Sequence, residues 1–203
     1  MTRTDASPRR RLDPDSRRAA IVAAAAQEFS RAPYAQVTIT QVAARAGASE
    51  ALLYRYFAGK DDLYATVVRH TVADLAARQE AAVAALRPGV PRRDRVRAVT
   101  LVQLDDVAAH PHAWAGAVLR PGDEPAVVAQ VRRQARAEQA TRLRDLLADR
   151  VDRRFEYALW GYLGFLESAC ARWAEQGCPP EDRWPLVEAA LGALQGALGD
   201  WGG

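Results

Sequence analysis

The chain is expected to fold as an all-α protein of about nine helices. Three observations lead there. Apolar residues recur at helical spacing over nearly the whole length, and no convincing stretch alternates as a strand does. Proline- and glycine-bearing breaks, such as Arg87-Pro88-Gly89-Val90-Pro91 and Gly177-Cys178-Pro179-Pro180, separate the periodic stretches into helix-sized pieces. At 203 residues and 49% hydrophobic, the chain can hold one ordinary domain and a smaller one.

Residues 1–12 form an arginine-rich arm with no apolar stretch after it, so no secretory signal is expected and a cytoplasmic protein is. The first helix runs from Pro14 to Arg31, with Asp13 as cap, Pro14 in the first turn, and Ile21, Ala25 and Phe29 on one face. A second, short helix starts at Thr38, whose side-chain oxygen accepts from free amides near Gln41. Val42 and Ala46 face inward with Ile39, leaving Gln41 and Arg45 outside. Gly47 follows as a left-handed stop. Ser49 caps a third helix in which Leu53 and Phe57 make the i, i+4 core stripe. Ala51 and Arg55 lie roughly opposite that stripe, flanked by Leu52, Tyr54 and Tyr56. Tyrosines, a leucine and an arginine turned away from a core need something to meet.

From Lys60 a long helix begins, acidic at Asp61 and Asp62 as the helix dipole prefers. The next helix stops near Pro111. A short piece spans Ala113 to Leu119, residues 121–125 are a loop, and a charged helix runs to about Asp149. In the penultimate helix Phe155, Leu159, Tyr162, Leu166, Ala169 and Trp173 form a sustained seam. The last helix carries Val187, Leu191, Leu194 and Leu198 on one stripe, with Ala189, Gly192, Gly196 and Gly199 beside it. Helices apolar on more than one side bury more than one face, so this pair is expected to pack within the subunit and against a second copy.

Two short helices joined by a glycine turn are the pattern of a helix-turn-helix, in which the second helix enters the DNA major groove. Charge agrees. Residues 1–60 hold ten Lys and Arg against five Asp and Glu, a net +5; the remainder holds eighteen against twenty, a net −2. The basic excess lies with the helices that would meet phosphate.

The run from Thr38 through Leu63, with Gly47-Ala48-Ser49, Leu53-Tyr54-Arg55-Tyr56-Phe57 and Lys60-Asp61-Asp62-Leu63, resembles the DNA-binding signature of the tetracycline-repressor (TetR) family. Beyond residue 80 the likeness rests on helix count and on residues 161–167, which look like the penultimate helix of some members. The resemblance implies an N-terminal three-helix DNA-binding domain (13–60) and a larger helical effector-binding and dimerisation domain (61–203). It implies a homodimer through the two C-terminal helices, a double-stranded DNA operator, a small-molecule effector, and neither a cofactor nor a membrane partner.

Carried onto this chain, Thr38, Tyr54 and Lys60 would contact the DNA backbone, and Tyr56 backbone or base. Ser49, Glu50, Ala51, Leu52 and Arg55 occupy the recognition-helix positions. A threonine is frequent in the family where Leu52 stands, so a hydroxyl contact gives way to an apolar one, such as a thymine methyl. Glu50 would accept from cytosine N4 or stabilise the helix start. Arg55 is the candidate for guanine readout or for phosphate. The arm arginines, with Arg17 and Arg18, would follow phosphates, enter a minor groove, or stay solvated.

Most aromatics lie in the C-terminal part, and a partly apolar pocket there would draw on Trp114, Phe155, Trp160 and Tyr162, with Asp105 as a polar contact. His70, His110 and His112 are badly spaced for metal, and Cys170 and Cys178 are expected as free thiols. No catalytic constellation stands out, so an enzyme is not expected. A helical ligand-binding or scaffold protein that no longer reads DNA is the alternative.

Overall fold

The computed structural model describes residues 13–147 and 152–199, so the expected basic arm lies outside the described residues. Nine α-helices, with no strand among the described residues, make up the fold: α1 (Pro14–Arg31), α2 (Ile39–Arg45), α3 (Glu50–Tyr56), α4 (Lys60–Ala84), α5 (Arg92–Ala109), α6 (Pro111–Leu119), α7 (Ala126–Leu147), α8 (Arg153–Glu175) and α9 (Arg183–Leu198). Short 3-10 turns at Tyr34–Gln36, Pro121–Asp123 and Pro180–Asp182 join them. Helix α6 begins at Pro111, two residues ahead of the expected start, because proline needs no amide partner in a first turn.

Local chemistry explains the ends. Asp13 Oδ1 accepts from the Ser16 amide at 2.9 Å, and Pro14 opens α1. Thr38 and Gln41 form a reciprocal capping box: the Gln41 amide donates to Thr38 Oγ1 at 3.2 Å and the Thr38 amide to Gln41 Oε1 at 2.7 Å. Gly47 sits at φ +59°, which lets its own amide reach the Ala44 carbonyl (3.2 Å) and the Ala48 amide the Ala43 carbonyl (2.9 Å). That paired closure satisfies carbonyls α2 would otherwise leave open.

The apolar side chains form two clusters. One joins α1, α2 and α3 with residues 63–68 of α4 and Val128 of α7. The other is built from α5, α7, α8 and α9. Packing from the first three helices therefore continues past residue 60, and α4 runs from that core to contacts with α5 and α7. The α8 seam buries Phe155, Leu159, Tyr162, Leu166 and Trp173, while Ala169 is half-buried. Among the described residues, no helix is long and apolar enough to cross a membrane.

Candidate nucleic-acid interface

Helix α3 is held by one side and open on the other. Leu53 and Phe57 are 1% and 3% exposed, locked beneath α1 and α4, and the Arg18 guanidinium lies 5.1 Å from the Phe57 ring centre. Ser49 Oγ accepts from the Leu52 amide at 3.2 Å and caps the helix start. On the opposite side Ala51 and Arg55 are exposed, and on the flank Tyr54 is 56% exposed. Leu52 is half-buried. Tyr56 is half-buried as well and packs against the N-terminal core, so its ring is less free than the helix-facing expectation had it. Glu50 accepts from Thr40 Oγ1 at 2.6 Å, tying the start of α3 to α2; this engages its carboxylate in bracing the two helices. Arg45 pairs with Glu28 and donates to Gln27 Oε1 at 3.2 Å, fixing α2 on α1.

Lys60 opens α4 beside the same surface. Its Nζ stands 4.0 Å from the centre of the Tyr34 ring, and partial burial draws its pKa below the usual lysine value against the opposing charge of Asp61. Tyr34 donates its hydroxyl to Asp61, while burial and that carboxylate both keep the phenol protonated. Thr38, Ser49, Tyr54, Arg55 and Lys60 thus lie at the α2 start, across α3 and at the α4 start.

This arrangement has relatives. Residues 21–67 match the family model for bacterial regulatory proteins of the tetR family. Through these residues the N-terminal part of the chain is similar to the DNA-binding region of the tetR family. A curated HTH-type transcriptional repressor, SCO4008 of Streptomyces coelicolor, is 39% identical over 64 residues, 32% of this chain. The match spans about a third of that repressor, 33% of its length. A tetR-family transcriptional regulator of Streptomyces coelicolor has the same fold at a TM-score of 0.76 and 22% identity, over 92% of this chain and 80% of that one. FadR of Bacillus subtilis, solved in complex with stearoyl-CoA, superposes at 0.65 with 16% identity, over 89% of this chain and 97% of its own.

A second feature lies among the longer helices. A cavity of about 400 Å³ opens between α1, α4, α5, α6, α7 and α8, and an adjoining one of about 290 Å³ lies further along α4, α7 and α8. The two share Gln79, Gln139, Arg142, Leu163 and Leu166 in their walls. Of the residues expected to line a pocket, Trp114 lines the larger lobe and Tyr162 the smaller. Tyr162 is buried, and its hydroxyl lies 2.7 Å from Thr100 Oγ1, so its polar end is satisfied within the protein.

The other three expectations are corrected. Asp105 is exposed and accepts from Arg183 Nη2 of α9 at 2.5 Å; its neighbour Asp106 faces the cavity instead. Phe155 is buried in the core at the start of α8, away from both lobes. Trp160 is 41% exposed on the outer side of α8, with the Arg136 guanidinium 5.8 Å from its ring. Helix phase explains the aspartate: Asp106 is three residues beyond buried Gln103, and Asp105 is not on that side. Asp106 is 2% exposed and accepts from Arg78 and from Trp114 Nε1 (3.0 Å).

Sequence reading also missed the link between cavity and α3. Phe29, Tyr34 and Tyr64 make an aromatic group, with ring centres 4.5 Å (Phe29–Tyr64) and 5.0 Å (Tyr34–Tyr64) apart. Tyr64 Oη donates to Glu124 Oε1 at 2.5 Å, and Arg132 grips the same carboxylate with two bonds of 2.7 Å. Phe29, Tyr64 and Arg132 all line the larger lobe. The partners are 60 positions apart along the chain, so no local pattern announces them. Among the described residues, no group of three or more His, Cys, Asp or Glu is placed to hold a metal. Cys170 and Cys178 are free thiols, and burial pushes Cys170 up to about 12.

Proposed function

We propose that this protein is a homodimeric, ligand-responsive tetR-family transcriptional regulator, a repressor that grips a palindromic operator and lets go when a small, partly apolar molecule fills the cavity. The observation that carries this reading is the two-sidedness of α3. Its buried Leu53 and Phe57 set the helix phase, and that phase turns Tyr54 and Arg55 to solvent beside Lys60. Residues 13–60 serve as the DNA-binding unit and 61–203 as the effector-binding and dimerisation unit. Thr38, Tyr54 and Lys60 hold phosphate; Arg55 and Leu52 face base edges. Glu50 braces α2 against α3.

Dimerisation through α8 and α9 is supported by what their outer faces leave uncovered. Tyr157 (79% exposed), Phe165 (39%) and Trp184 (55%) stand beside exposed Ala189, Gly192 and Gly196. Large rings next to small residues suit a close, self-complementary helix contact. In such a dimer two copies of α3 would meet successive major-groove faces about 34 Å apart.

The cavity supports ligand control because its walls include Tyr64 and Arg132, which join α4 to the turn before α7. Stearoyl-CoA in the FadR structure is a further reason to read the space as a ligand site. A ligand preferring the arrangement with misplaced α3 helices weakens DNA binding, and DNA weakens ligand binding by the same factor. A gel shift on duplex from beside the gene, at two salt concentrations, tests the reading. Retarded, salt-sensitive complexes are expected. Failure to shift any duplex would favour a helical ligand-binding or scaffold protein that no longer reads DNA.

A further inference from the structure

One wall of the double cavity carries more hydrogen-bond donors than the protein itself satisfies. Arg132, Arg136, Gln139 and Arg142 line up on α7 at spacings that put them on one side of the helix, and all four line the larger lobe. Two are committed elsewhere in different degrees. Arg132 gives Nε and Nη2 to Glu124. Arg136 gives Nη1 to Glu167 at 2.8 Å, but its Nε is buried with no acceptor. Arg142 has no ion-pair or hydrogen-bond partner among the described residues, although it lines both lobes.

The carboxylates around the larger lobe are already taken: Asp74 and Asp106 by Arg78, and Glu167 by Arg136. An unmatched positive charge therefore stands at the junction of the two spaces. The smaller lobe, by contrast, is walled by Val83, Val99, Leu143, Leu146, Leu163 and Leu166, with Glu80 and Asp145 exposed at its edge. A cationic ligand would leave Arg142 unpaired and add like charge beside it. A wholly apolar ligand would bury the Arg142 donors without acceptors, which is costly.

We infer that the effector is an amphipathic carboxylate. Its anionic group accepts from Arg142 and Gln139 at the junction, and its apolar body occupies the lobe between α4, α7 and α8. This rests on the cavity being the effector site, as proposed above. Gly164 contributes: an added Cβ there would stand 3.3 Å from Arg136 Nη2, so the glycine lets that guanidinium lie close against α8.

The test compares three probes with the same ten-carbon chain, each below its aggregation range at pH 8: decanoate, decanol and decyltrimethylammonium. Binding to the full-length protein is followed by intrinsic tryptophan fluorescence and by thermal shift. Decanoate is expected to bind about tenfold more tightly than decanol, the value of a charge-assisted hydrogen bond, with the cation weakest. Arg142→Gln should bring the decanoate-to-decanol ratio near one, while Arg142→Lys, which keeps the charge, should preserve most of it. Equal binding of decanoate and decanol to the wild type, or preference for the cation, overturns the assignment while leaving the cavity as a ligand site. Absence of binding by all three removes the cavity reading and this inference with it.

Discussion

Tyr64 and Glu124 are joined by a 2.5 Å hydrogen bond that ties the first core, in which α3 is rooted, to the turn that launches α7. Arg132 completes the joint and also faces the cavity. A ligand that disturbs Arg132 would thereby act on α4 at Tyr64, one turn from Lys60 at the start of that helix. Tyr64→Phe should leave DNA affinity near that of the wild type and reduce the loss of DNA affinity caused by saturating ligand. Measuring operator affinity by anisotropy with and without ligand checks this; undiminished coupling would show that the joint is only structural.

The same joint makes stability depend on pH. Burial alone would raise the Glu124 pKa, but hydrogen bonds and charge from Arg132, helped by Tyr64, hold it below the usual 4.5. A depressed folded-state pKa means that the stabilisation is present above 4.5 and is lost as pH falls through the folded value. Glu124→Gln should cost about 1–3 kcal/mol at neutral pH, and the deficit should shrink in acid. Denaturant titrations at pH 7 and below pH 4.5 read both; a deficit unchanged by acid would contradict it.

Arg55→Ala should weaken binding to the preferred duplex by about 1–3 kcal/mol and binding to random duplex by much less. Competition anisotropy separates the two. An equal loss on both would make Arg55 a phosphate contact.

Lys60→Ala should lower affinity on every sequence and flatten the slope of log affinity against log salt by about one unit. A salt titration with an unchanged slope would remove Lys60 from the interface.

Gly47→Ala isolates a backbone effect. Nothing lies within 4 Å of a Cβ placed there, so the cost is the left-handed φ of +59° alone. A loss of about 1 kcal/mol is expected, seen as a lower midpoint in urea. A neutral substitution would mean that the α2–α3 turn relaxes to another path.

Much of the fold was legible because its signals are local. Asp13, Thr38 and Ser49 cap helices through atoms three residues away, and Gly47 closes α2 through its own φ. Leu53 and Phe57 fix the phase of α3, which in turn exposes Tyr54 and Arg55. The cavity was less legible for the opposite reason. Asp105 and Asp106 are adjacent and chemically identical, and only the phase of α5 separates a partner for Arg183 from a partner for Arg78. Trp160 and Phe155 share aromatic character with Trp114 but point to the outer face and to the core. Arg142 matters through the lack of a partner among the described residues, which no sequence pattern records.

Selection of binding sites from a pool of random duplexes is the most direct trial of α3 as the reading surface. The wild-type protein should enrich a sequence with two-fold symmetry and half-site centres about one helical turn apart, or a multiple of it. A pool that stays random after repeated rounds, while the protein remains folded, would contradict DNA reading by α3.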